Sequence, residues 1–121
     1  MNRTLLIASL LTLAASVPAS AADLSGNWQI EGSIGQMPVS VVCTLKEANH
    51  KLTGDCHNDQ IGALELKGEA TDTTATWSYS VNYQGQTFDV SYNGKLKSAT
   101  EMAGDIAVGG NPSGEFTAKK Q

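Results

Sequence analysis

Hydrophobic and polar residues alternate with a period of two along most of the chain after residue 22, a pattern typical of β-strands. In the clearest segment Trp77, Tyr79 and Val81 share one face, and the serines between them share the other. No segment after residue 22 shows the period of an amphipathic helix. The pattern predicts eight strands, over residues 27–34, 37–46, 52–57, 63–70, 75–83, 87–96, 101–108 and 114–119.

The segments between these strands are short and rich in Gly, Asn and Asp, which accept the positive φ of tight hairpin turns. None is long enough for a helical crossover, so we expect only antiparallel pairing. A glycine beside an outward charge recurs in several strands, as in 52–55 and 102–105, and indicates sharp bends in a coiled sheet. These features predict an all-β, eight-stranded antiparallel up-and-down β-barrel, with a two-sheet β-sandwich as the alternative.

The two cysteines of the chain, Cys43 and Cys56, fall on the inward faces of adjacent predicted strands. If the hairpin turns over Asn49 and His50, counting outward places them as a directly opposed, non-hydrogen-bonded pair, whose side chains approach most closely. In an exported protein this spacing predicts a structural disulfide. The rival interpretation, a redox-active pair, would be more typical of a C-x-x-C motif.

Residues 1–21 are typical of a secretory signal peptide. Arg3 gives the N-terminal region a positive charge, and residues 5–15 form an apolar run too short to span a bilayer. Residues 19–21 are small, as the site cleaved by signal peptidase requires. We therefore expect a cleaved signal over 1–21 and one domain over 22–121, periplasmic or secreted, without a membrane span. A retained N-terminal anchor is the alternative.

The chain has a formal net charge of −4, which disfavours nucleic acid or an anionic membrane surface as a partner. The sequence contains no nucleophile elbow, phosphate-binding loop or zinc-protease signature. Asp55, His57 and Asp59 share one strand edge, where a solvated turn explains them better than a metal site. We expect no catalytic residue, no metal, no cofactor and no enzymatic activity.

The predicted lumen-facing positions carry no charge, and their polar groups are indole and phenol groups. A ligand in the lumen would therefore be a small, uncharged apolar or aromatic molecule. We expect Trp77, Tyr79, Phe88 and Tyr92 to stack on it and Trp28 to seal one end of a monomeric barrel. A lumen filled by its own side chains remains the other possibility, because eight strands enclose about enough room for either.

The opening Leu24-Ser25-Gly26-Asn27-Trp28 resembles the first strand of the calycin barrels, the lipocalin and avidin group, and above all their small secreted bacterial members. That resemblance implies a tryptophan packed across the barrel floor and the binding of small hydrophobic molecules.

The same opening is also similar to that of the periplasmic inhibitors of secreted bacterial metalloproteases. Those inhibitors share with this chain a cysteine on the second strand and another soon after an L-x-G, here Cys43, residues 52–54 and Cys56. This second resemblance implies a protein-binding module whose N-terminal arm, Ala22 to Ser25, enters the cleft of a secreted protease.

Overall fold

A computed structural model of the chain describes residues 23–121, and the signal predicted over 1–21 lies outside them. The described residues form eight antiparallel strands that close into one barrel, in which each strand pairs with its neighbours in sequence and the last pairs with the first. The strands are β1 (Gly26–Ile34), β2 (Met37–Ala48), β3 (Lys51–Asn58), β4 (Gly62–Ala70), β5 (Thr74–Tyr83), β6 (Gln86–Ser98), β7 (Glu101–Val108) and β8 (Asn111–Lys120). This order confirms the up-and-down barrel rather than the sandwich. Within residues 23–121 no helix has the length and hydrophobicity needed to cross a membrane.

The two ends of the barrel differ. The turns at 35–36, 59–61, 84–85 and 109–110 lie together at one end, which we call the open end. The remaining turns and the start of β1 lie at the opposite, closed end. The lumen between them holds the core, and the predicted alternation is confirmed: Trp28, Ile30, Leu66, Tyr92 and Ile106 are fully buried.

The β2–β3 hairpin sets the register of the cysteines. Asn49 and His50 have φ of 53° and 65°, the left-handed values that a tight two-residue turn requires. Ala48 therefore pairs with Lys51, and Cys43 lies directly opposite Cys56. The two cysteines form a disulfide, as the count from the turn predicts.

The glycines that face the lumen have a steric role. A Cβ at Gly104 would overlap the carbonyl oxygen of Asn93, and one at Gly32 would overlap that of Glu115. Phe116 lies between these two glycines in the register, paired with Gly32 on one side and Gly104 on the other. Without a Cβ, the neighbouring backbone can fold over each glycine, and the sheet coils tightly at these points.

Two strands extend beyond the predicted limits through irregular pairing. β6 continues to Ser98 across a register shift between Leu96 and Ser98. β8 begins at Asn111 and includes Pro112, which the sequence had placed in a turn, so that assignment was wrong. The ladder between β7 and β8 shifts register beside Ala107, which pairs with Pro112, and an irregular ladder accommodates a residue without an N–H.

The pairing between β4 and β5 covers only part of either strand. The ladder runs from Ala70 opposite Ala75 to Lys67 opposite Ser78 and stops there. Towards the open end, residues 62–66 still pair with β3 and residues 79–83 still pair with β6, but these two stretches do not pair with each other. We call this gap the β4–β5 seam.

Candidate ligand-binding site

An aromatic cluster fills the middle of the lumen. Trp77 and Tyr92 are cross-strand partners whose rings stack with centroids 5.2 Å apart and an interplanar angle of 12°. Phe116 meets both rings edge-on, with centroids 5.8 Å from Trp77 and 5.2 Å from Tyr92. All three side chains are at most 3% exposed, so their contacts are with each other and with the barrel wall.

Two phenols supply the polar groups beside this cluster. The hydroxyls of Tyr79 and Tyr92 form a buried hydrogen bond of 2.7 Å. Burial raises the pKa of both phenols above the usual value, and the proximity of Tyr79 raises that of Tyr92 further. Both are therefore neutral at physiological pH. The indole N–H of Trp77 is also buried, and no hydrogen-bond acceptor meets it within the described residues.

The open end carries a ring of partly exposed apolar side chains, which we call the mouth. Cross-strand register places those that belong to strands on the lumen side; Val81, for example, faces Phe88, and Val108 faces Val90. Met37 and Tyr83 are the most exposed large hydrophobic residues of the described chain, at 66% and 62%. The mouth consists of Ile34, Met37, Val39, Ile61, Leu64, Val81, Tyr83, Phe88 and Val108.

A local hydrogen-bond pattern positions the one mouth residue that comes from a turn. The side-chain oxygen of Asn58 accepts the backbone N–H groups of Gln60 and Ile61, each at 2.8 Å. This arrangement is an Asx-type turn, for which asparagine is well suited. It fixes the β3–β4 connection so that the Ile61 side chain packs against the core.

The five residues predicted to bind a ligand are divided among three places. Trp77, Tyr79 and Tyr92 meet in the aromatic cluster, while Phe88 lies at the mouth beside Val81. Trp28 lies at the closed end, where its indole N–H donates to the carbonyl of Leu24 at 2.9 Å. Sequence reasoning missed Ile34, Met37, Ile61 and Tyr83 as mouth residues. For Ile34, Met37 and Tyr83 the available signal was lumen-facing parity next to a turn.

The residues before β1 are fastened to the closed end. Leu24 is 1% exposed, and its backbone N–H donates to the Glu47 carboxylate at 2.9 Å. The Ser25 hydroxyl accepts the backbone N–H of Glu47 at 3.0 Å, and Lys120 donates to the carbonyl of Asp23 at 3.0 Å. Of the arm that would enter a protease cleft, Ala22 lies outside the described residues, and Leu24 and Ser25 are held against the barrel.

The outer surface carries two further features. Asp55 and His57 form an exposed pair, with carboxylate and ring nitrogen 3.4 Å apart, and no three His, Cys, Asp or Glu residues in 23–121 lie close enough to hold a metal ion. A shallow groove of about 710 Å³ crosses the outer face of β6, β7, β8 and β1, with Lys95 and Lys97 on one side and Glu31 and Glu115 on the other. It lies outside the predicted lumen and mixes charges of both signs.

Comparison of the chain with protein-family models and with curated proteins finds no match. The structure itself shows a small, closed, eight-stranded antiparallel barrel with one disulfide, an architecture consistent with a calycin-like fold.

Proposed function

We propose that this barrel binds a small, uncharged apolar or aromatic molecule at its mouth. The observation that supports the proposal is the asymmetry of the two ends: Leu24 and Trp28 are fully buried at the closed end, whereas the mouth exposes a ring of hydrocarbon and aromatic surface. Apolar surface that is partly open to water and gathered at one end of a barrel is typical of a binding site.

The chemistry of the mouth defines the class of ligand. Val81 and Phe88 face each other across β5 and β6, and Tyr83 and Met37 extend the apolar surface outward. No side chain of the mouth is charged, so a charged group on the ligand would have to remain in water. The buried aromatic cluster of Trp77, Tyr92 and Phe116 lies beneath the mouth and would form the base of the site. The proposal is one of binding rather than catalysis, and it assigns no acid–base or nucleophilic role to any residue of the mouth.

The disulfide supports an oxidising compartment for this activity. Bonds such as Cys43–Cys56 persist in the periplasm or outside the cell and are rare where thiols are kept reduced. We infer an exported carrier or scavenger of small apolar molecules. The N-terminal sequence of the protein recovered from the producing cell's envelope and medium tests this location, and a chain found reduced in the cytoplasm would contradict it.

The neutral fluorescent probe N-phenyl-1-naphthylamine tests the binding site directly. We expect saturable fluorescence enhancement with one probe per barrel. Phe88→Ala should weaken binding about tenfold, because a large apolar contact is lost at the mouth. Leu96→Ala is the matched control, since Leu96 is a half-buried, lumen-facing residue of the same strand near the closed end.

The two variants separate a mouth site from general loosening of the barrel. Equal losses of probe affinity in Phe88→Ala and Leu96→Ala, or no saturable binding of the probe by the intact protein, would contradict the proposal. Native mass spectrometry of protein purified from its own host would show a bound adduct of a few hundred daltons if the natural ligand survives purification.

A further inference from the structure

The seam leaves part of β5 as an exposed strand edge. The turn at Gln84 and Gly85 has φ of 54° and 80°, which makes it a type I′ hairpin. In such a turn the flanking Tyr83 and Gln86 share a hydrogen bond, and the bonding direction then alternates along the strand. The peptide groups of Ser80 and Asn82 consequently point away from β6 and towards the seam, where β4 does not pair with them.

This edge lacks the features by which proteins protect exposed strands. Residues 73–88 contain no charged side chain and no proline, and residues 79–83 pair with β6 without a bulge. Tyr79, Val81 and Tyr83 give it high β-propensity. The facing edge of β4 is different, because residues 62–66 combine glycine and alanine with the charged Glu65.

From these observations we infer that the β5 edge is a strand-addition site occupied by the β5 edge of a second copy of this chain. An antiparallel pair about a twofold axis at Val81 places Ser80 opposite Asn82 of the other copy. Those two residues carry the seam-facing peptide groups, so the pair gains four symmetric backbone hydrogen bonds. Val81 then meets its own copy, and Tyr79 meets Tyr83, as non-hydrogen-bonded pairs with close side chains.

The charge and exposure of the segment favour a second copy as the occupant. In a twofold pair every side chain meets the same segment again, so any charge in 79–83 would face a like charge, and there is none. The pair also covers Tyr83, which is 62% exposed in the single barrel. The dimer should be weak, since one short edge buries far less than the ~1,600 Å² of a standard interface. The proposed dimer differs from the monomer expected from the sequence.

Sedimentation velocity of the purified protein from about 10 μM to about 1 mM tests the dimer across the range of weak association. We expect the weight-average mass to rise towards twice the monomer mass. Asn82→Pro removes two of the four symmetric bonds without touching the β5–β6 ladder, and should raise the dimer Kd at least about tenfold. A monomer across the whole range, or a dimer unaffected by Asn82→Pro, overturns the inference.

A charge-swap experiment tests the register. The variants Ser80→Lys/Asn82→Lys and Ser80→Glu/Asn82→Glu should each be monomeric, because like charges then face each other across the axis. An equimolar mixture should restore dimers, since each Lys then meets a Glu. Thr76→Lys is the matched control, because Thr76 is an exposed residue of the same strand where β5 pairs with β4, and it should dimerise like the parent. Failure of the mixture to associate while Thr76→Lys dimerises overturns the register.

Discussion

The hydroxyl oxygens of Tyr79 and Tyr92 lie 2.7 Å apart inside the barrel, on adjacent strands but not on directly opposed residues. The cross-strand partner of Tyr92 is Trp77, so Tyr79 reaches it diagonally from two residues further along β5. The bond joins the buried aromatic cluster to the part of β5 that borders the seam and the mouth. It also brings together two phenols whose ionisation is suppressed by burial.

Alkaline pH should therefore destabilise the barrel. Burial raises the folded-state pKa of Tyr79 and Tyr92 above the value in the unfolded chain, so the neutral phenols favour the native state. Their contribution is fully present below pH ~10, the unfolded-state pKa, and is lost as the pH rises further. Denaturant unfolding at several pH values between about 8 and 12 measures this loss, and the Tyr79→Phe/Tyr92→Phe variant should show a shallower decline.

The hydrogen bond itself can be measured with a double-mutant cycle. Tyr79→Phe or Tyr92→Phe alone leaves a buried hydroxyl without its partner and should cost about 1–3 kcal/mol of unfolding free energy. The double variant should cost less than the sum of the singles, because it leaves no orphaned hydroxyl. Additive losses would show that the two hydroxyls do not depend on each other.

Gly104 should tolerate no side chain. In Gly104→Ala the new Cβ would overlap the Asn93 carbonyl, so we expect a loss of at least about 2 kcal/mol in the free energy of unfolding. Gly85→Ala is a useful contrast: its Cβ would meet nothing within 4 Å, but φ is +80°, and the left-handed backbone alone should cost about 1 kcal/mol. Similar losses at both positions would contradict a steric role for Gly104.

Leu24 should act as a structural plug of the closed end. Leu24→Ala removes a side chain that is 1% exposed and should cost about 2–5 kcal/mol, as for other buried leucines. Leu64→Ala, at the half-buried mouth, should cost less. The midpoints of guanidinium unfolding compare the two. If Leu24→Ala were neutral, residues 23–25 would be free to leave the barrel, as an inhibitory arm requires.

The disulfide should contribute substantially to stability. Cys43 and Cys56 are 13 residues apart in sequence, and closing a loop of that length stabilises by about 3 kcal/mol in the chain-entropy model. Cys43→Ala/Cys56→Ala should lose roughly that amount and still fold, because the hairpin register is set by the turn at Asn49 and His50. The intact mass of unreduced protein, 2 Da below that of the reduced chain, checks the bond.

The candidate site was only partly predictable. Parity placed Trp77, Tyr79, Phe88 and Tyr92 on the lumen side, which the register confirms. Parity could not show that Trp77 and Tyr92 would pack against Phe116 while Phe88 stayed at the mouth. Which lumen residues meet depends on the tilt and stagger of strands that are distant in sequence.

By itself the sequence determined the strand count, the inward and outward faces and the Cys43–Cys56 pairing. Each follows from a local rule: a period of two, or a turn that needs positive φ. Tertiary structure alone decided the closure of β1 on β8, the filling of the middle lumen, the open mouth and the β4–β5 seam. These features depend on the shear of the barrel, which is the stagger between neighbouring strands summed around the closed sheet. No single segment of the chain encodes that sum.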